Sequence, residues 1–147
     1  MKKGSLLLYF VLSVLLFTAC KKDSTHPTDT PTPTNIAGVY RMTALKAQAA
    51  NSAQVDVYDQ LTECQQNDTW GFYEDGSFLF GGAAAADCGD PDLSGTWVLN
   101  GKTFTVTTDE ATTDYQFISV GGNTLRLSIE GTLNEETATY YITFTKQ

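Results

Sequence analysis

Few side chains in this 147-residue chain carry catalytic chemistry, and their spacing limits what they could do. The only histidine, His26, is followed by a Pro/Thr-rich run outside any fold-forming stretch, so a Ser-His or Cys-His nucleophile pair has no base to draw on. Glu74-Asp75 and Glu135-Glu136 are adjacent carboxylates. Neighbours on a strand point to opposite faces, and acids in turns are solvated, so neither pair reads as an acid/base couple. Asp87, Asp90 and Asp92 crowd a turn-rich segment, but Pro91 and the lack of a distal Glu spoil the calcium-loop pattern. Zinc needs four ligands, and Cys64 and Cys88 with one remote histidine do not supply them. No glycine-rich phosphate loop is present, so we expect no enzyme, no metal and no cofactor.

The N-terminus indicates where the chain resides. Met1-Lys2-Lys3 precedes an apolar run from Leu6 to Phe17, about 12 residues, too short to span a bilayer as a helix, and it reads as a secretory signal. The run ends in Leu16-Phe17-Thr18-Ala19-Cys20, which resembles a bacterial lipobox. That resemblance implies cleavage before Cys20 and acylation of its sulfur and amino group, which would hold the protein on a membrane through its acyl chains. The chain has three cysteines, so acylating Cys20 leaves one pair, Cys64 and Cys88. A bridge between them closes a 24-residue stretch around the most aromatic part of the chain, a constraint of roughly 3 kcal/mol in the chain-entropy picture. Lys21 to Asn35 has no large apolar residue and reads as an extended tether of up to about 45 Å. Lys21-Lys22-Asp23 resembles the charged signals that send some Gram-negative lipoproteins to the cell surface. The expected organisation is a signal peptide at 1–19, an acylated cysteine and tether at 20–35, and one domain at 36–147. The location expected is the cell envelope of a Gram-negative bacterium, as an outer-membrane lipoprotein.

The domain holds five basic and fifteen acidic residues, a net of −10, a field that repels phosphate backbones and argues against nucleic acid. Its hydrophobic pattern is almost wholly period-2. Gly38 to Leu45 reads as a strand with Tyr40 and Met42 on one face. Lys46 to Gln54 reads as a loop, and Val55, Tyr58 and Leu61 suggest a helical turn before Cys64. Two aromatic segments flank Asp75-Gly76, the dipeptide of a type I′ hairpin turn. Gly81 to Ala86 reads as an edge or loop. Asn100-Gly101 joins two more strands, and a two-residue turn there pairs Leu99 with Lys102 and Trp97 with Phe104. Trp97, Leu99, Phe104 and Val106 then share one face. Gly121-Gly122-Asn123 joins another pair, in which Leu125, Leu127 and Ile129 face inward. In its first strand either Tyr115 and Phe117, or Ile118 and Val120, face the core. The last strand, Thr137 to Lys146, alternates on Tyr140, Ile142 and Phe144.

About eight strands in sequence order pose an edge problem that closure solves, so the expected fold is all-β, an eight-stranded antiparallel up-and-down barrel. A two-sheet sandwich is the rival, but 24 residues between Cys64 and Cys88 are too few for a bridge across two sheets. The order of motifs supports the barrel: Gly38-Val39-Tyr40, then Cys64 with its polar stretch and aromatic Asp-Gly hairpin, then Cys88, Gly95-Thr96-Trp97, Leu125-x-Leu127 and Phe144-Thr145-Lys146. In this order they resemble the small lipocalin-like domains of bacterial lipoproteins, over roughly residues 36 to 147. The resemblance implies a binding barrel on a lipid anchor. An eight-stranded interior is filled by side chains or holds one small ligand. The residues expected to line such a site, for a small apolar or amphipathic molecule, are Tyr40, Met42, Phe72, Trp97, Phe104, Leu127 and Tyr140. The alternative is that they fill the core, which leaves the outer surface to act as a protein- or glycan-interaction module of the envelope. Oligomeric state is not legible.

Overall fold

The structure, a computed structural model, describes residues 31–81 and 92–147. The signal peptide, Cys20, His26, most of the tether, the Ala-rich run and Cys88 lie outside the described residues.

A single turn of helix, α1 (Pro33–Ile36), leads into β1 (Gly38–Ala49), the short β2 (Val55–Asp56), a 3-10 turn at Tyr58–Gln60 and α2 (Glu63–Asn67). Seven strands follow: β3 (Thr69–Phe72), β4 (Ser77–Gly81), β5 (Leu93–Asn100), β6 (Thr103–Thr108), β7 (Thr112–Gly121), β8 (Thr124–Leu133) and β9 (Glu136–Lys146). All pairings are antiparallel in the order β1-β3-β4-β5-β6-β7-β8-β9, and β9 pairs back onto β1, so the sheet closes into an eight-stranded barrel with β2 as a flap on β1. Closure leaves no open edge along the barrel's eight strands.

Connections alternate between the two ends. The β3–β4, β5–β6 and β7–β8 turns share one end with α1, and that end is shut. Ile36 of α1 is fully buried in the core and accepts, through its carbonyl, a 2.7 Å hydrogen bond from the Tyr40 hydroxyl. The Lys146 ammonium donates to the Ala37 carbonyl at 2.7 Å beside it. Burial of the Tyr40 phenol pushes its pKa above the ordinary value, so it stays a neutral donor.

Two bulges place the inward faces. On β7 the register against β8 shifts between Phe117 and Ser119, so Ile118 is the extra residue and turns to solvent. Tyr115, Phe117 and Val120 are therefore all buried, and the sequence's choice between two faces is resolved by using part of each. On β1 the shift between Met42 and Ala44 does the same, bringing Leu45 and Ala47 inward after Tyr40 and Met42. The first four residues of the segment expected to be a loop, Lys46 to Gln54, are thus strand, and residues 50–54 form the connection to β2. Lys46 to Ala49 pairs with Tyr141 to Ala138 of β9, and the small Ala47 is fully buried opposite Tyr140. The expected helical turn also starts later, because Val55-Asp56 pairs with Lys46 and Ala47 as β2. The turn itself is the 3-10 segment Tyr58–Gln60, and α2 follows, where Thr62 and Gln65 form a reciprocal capping box. Cys64 lies in this helix.

Two turns differ in detail from their sequence signatures. Asn100 pairs with Thr103, so the β5–β6 turn is Gly101-Lys102, one residue later than expected, and Leu99 and Trp97 pair with Phe104 and Val106. Gly101 at φ +62 occupies the first central position, where a type II′ turn needs positive φ. The shift leaves the inward face unchanged, as parity is preserved. Asp75-Gly76 does not form a two-residue I′ turn. The Gly76 amide donates to the Tyr73 carbonyl, closing a four-residue turn, and Gly76 at φ +83 follows as the bulge residue. Asp75 accepts from the Ser77 hydroxyl and amide, which holds its carboxyl below the usual range. The β8–β9 turn has Asn134 and Glu135 both at positive φ, a I′ turn with an unsuited second residue. Glu135→Gly should raise stability by about 0.5–1 kcal/mol in urea unfolding, and no gain would mean the turn is not strained.

Candidate functional site

The shut half of the barrel is filled by aromatic rings. Phe72 lies at the centre, with ring centroids 5.1 Å from Phe104, 5.4 Å from Phe78, 5.9 Å from Trp97 and 6.0 Å from Tyr40. Trp97 stacks on Phe104 at 5.3 Å, and its indole N–H donates to the Tyr73 carbonyl at 2.9 Å. Those rings sit on strands whose inward positions repeat every second residue, so β3, β4, β5 and β6 each deliver a ring to the same depth.

The opposite end is different. Between β3, β4, β5, β6 and β7 lies a cleft of about 250 Å³, open to solvent. Trp70, Phe78, Phe80, Leu93, Val106 and Tyr115 form its apolar walls, and Thr108, Glu110, Ala111 and Thr113 form its rim. Trp70 joins cleft to core: its ring is 5.1 Å from Phe80, 5.2 Å from Phe144 and 5.9 Å from Phe78. The Thr108 hydroxyl organises the β6–β7 turn by accepting from the Glu110 and Ala111 amides at 3.4 and 3.3 Å, which sets Glu110 at the mouth. Burial raises the Tyr115 pKa, so a neutral phenol lines the wall. Apolar walls with a few polar groups at one side suit the burial of an apolar body and the retention of a polar head at the surface.

None of the seven residues named from the sequence lines this cleft. Tyr40, Phe72, Trp97, Phe104 and Leu127 are buried in the packed core, and Met42 is partly buried against it. Tyr140 is half-buried, its hydroxyl donating to the Thr132 carbonyl at 2.6 Å and its ring lying over Gly131. Of the residues that do line the cleft, Trp70 and Val106 are legible as inward-facing by alternation with Phe72 and Phe104. Nothing in the sequence says which end of the barrel is shut.

A second depression of about 480 Å³ lies on the outer wall, where Lys46, Arg126, Gln54 and Tyr141 border it. Among the described residues no three of His, Cys, Asp and Glu come together as metal ligands. Cys64 is half-buried and engaged in a contact of its own, and Cys88 lies outside the described residues.

Comparison with known proteins gives one structural and one sequence likeness. An uncharacterized protein from Bacteroides eggerthii DSM 20697 aligns over 76% of this chain and 98% of its own, at 12% identity and a TM-score of 0.45. No curated protein matches in sequence. A family model of the lipocalin-like domain matches residues 36–127, more than half the chain and most of the barrel. With an eight-stranded meander closing β9 onto β1 and that match in sequence, the chain belongs to the lipocalin-like domain family.

Proposed function

We propose that this is a lipid-anchored binding protein of the bacterial envelope that holds a small apolar or amphipathic molecule in the mouth cleft. The observation that carries the reading is the asymmetry of the barrel: one end packed shut by α1 and an aromatic cluster, the other opening into a cleft walled by Trp70, Phe78, Phe80 and Tyr115. The lipocalin-like barrel is generally a binding fold, which favours this over catalysis. Ala111→Trp tests it, because Ala111 is exposed on the rim and an indole there fills the mouth without disturbing the core. N-phenyl-1-naphthylamine, a neutral fluorescent probe, should bind the mature chain and lose at least about tenfold in affinity to this variant, about 1.4 kcal/mol. Equal binding to both proteins would place the site elsewhere.

The anchor and the bridge belong to the same proposal. The lipobox supports Cys20 as the attachment point, and acylation there leaves Cys64 and Cys88 as the one remaining pair, which supports a bridge between them. One intact-mass measurement on protein from its own envelope tests both. It should find a chain beginning at Cys20 with added acyl mass and two hydrogens missing, and an unacylated or fully reduced chain would remove the corresponding claim.

The packed core favours a second reading, in which the outer surface recruits an envelope partner. Val39, Gly71 and Leu79 lie in register across β1, β3 and β4, with the Tyr73 ring over Gly71, and form an exposed apolar stripe. A small molecule retained in the native mass spectrum of the same preparation favours the cleft; none, with a protein retained, favours the stripe.

A further inference from the structure

We infer that the occupant of the mouth cleft is an amphiphile with a cationic head, a ligand class that rests on reading the cleft as a binding site. The inference comes from where the chain has placed its charge. Residues 47–101 contain no Lys or Arg but nine Asp and Glu. Residues 103–125 again contain none, against Asp109, Glu110 and Asp114. The five strands that wall the mouth, β3 to β7, and every residue joining them therefore include one cation, Lys102, and it sits in the β5–β6 turn at the shut end.

The remaining cations of the domain are not among the residues lining the cleft. Lys146 donates to the Ala37 carbonyl at the shut end. Lys46 and Arg126 border the outer-wall depression, and Arg41 follows the inward Tyr40 on β1, so its register faces outward. Glu110 is the charged residue among those lining the cleft.

A carboxylate or phosphate head lodged at this rim would lose water beside Glu110 with no cation to compensate, which is unfavourable on both desolvation and like-charge grounds. An ammonium head reverses the sign of both effects. It meets the Glu110 carboxylate, can donate to the Thr108 and Thr113 hydroxyls, and shares the cleft with the Trp70 indole, a ring type that attracts cations. The apolar walls then take the chain or ring system and the acidic rim selects the head. The net charge of the domain adds long-range steering of the same sign.

Competition on the mature chain tests the inference. N-phenyl-1-naphthylamine is bound at about neutral pH and low salt, then displaced by dodecylamine, dodecanol or dodecanoate, which share a chain and differ in the head. The amine should displace the probe at about tenfold lower concentration than the carboxylate, with the alcohol between them. Glu110→Gln should reduce that ratio at least threefold, and Glu74→Gln, in the β3–β4 turn at the shut end, should leave it unchanged. Added salt should narrow the ratio as the rim is screened. A carboxylate that competes as well as the amine, or a ratio indifferent to Glu110→Gln, overturns the head preference and leaves the cleft intact. A probe that does not bind, or binds equally to Ala111→Trp, overturns the cleft and the preference with it.

Discussion

Replacing Trp97 with alanine should lower the stability of the barrel by about 3–5 kcal/mol, the cost of emptying a buried large aromatic site. The indole is 3% exposed, stacks on Phe104 and meets Phe72 edge-on, so its loss leaves a void that neighbouring rings on other strands cannot follow inward. A second contribution comes from the Tyr73 carbonyl, which loses the indole N–H as its donor at the β3–β4 turn. Trp97→Phe separates the two effects. It keeps most of the packing and removes the donor, and should cost about 1–2 kcal/mol. Urea unfolding followed by circular dichroism measures both. A loss under about 1 kcal/mol for the alanine variant would mean that the ring does not hold the shut end together.

Gly95→Ala is the second large effect, and its cause is the opposite one, too little room instead of too much. Gly95 faces inward two residues before Trp97, opposite Phe78 on β4 and Thr108 on β6. A methyl group there would run into the backbone carbonyl of Thr107, nearer than any real Cβ contact, with the Thr108 Cα also about 3.0 Å away. A flexible side chain could swing aside, but a carbonyl within the β5–β6 ladder moves only if the ladder breaks. The expected cost is about 3 kcal/mol, at the upper end of overpacking penalties because the obstruction is main chain. Ser94→Ala, one residue earlier and exposed, should change stability by less than about 0.5 kcal/mol. If Gly95→Ala melts with the parent protein, β5 and β6 are not as close as the structure places them.

Gly95 also shows how far a sequence can be read. In sequence it is the first residue of a Gly-Thr-Trp strand, and a glycine inside a strand is a general sign of close backbone approach. What it approaches is set by β6, a strand whose register depends on the turn between them. The Asn100-Gly101 signature announced that turn correctly yet placed it one residue early. Asn100 instead pairs with Thr103, and Gly101 alone takes the left-handed conformation. The face assignment survived because the shift preserved parity. Where parity changed at Ile118, alternation alone offered two answers and a bulge used part of each, and at Thr43 a second bulge brings Leu45 and Ala47 to the face of Tyr40 and Met42. Lys46 to Ala49 failed as a loop assignment for a different reason. Its alanines lack a strand's usual bulk, and they are strand because β9 extends alongside them and Tyr140 needs a small neighbour.

The sequence by itself determined the all-β class, the barrel and its strand order, because period-2 alternation and turn residues are local and each hairpin can be read from its own dozen residues. It also left residues 47–101 and 103–125 without Lys or Arg. Only the tertiary structure decided which end of the barrel is shut and hence which inward side chains are wall and which are core. That depends on α1 folding under the strands so that Ile36 meets Tyr40, and on shear that stacks Phe72, Phe78, Trp97 and Phe104 at one depth while leaving Trp70 and Phe80 at the mouth. These are contacts between distant parts of the chain, and an inward-facing residue carries no local mark of its height along the barrel axis.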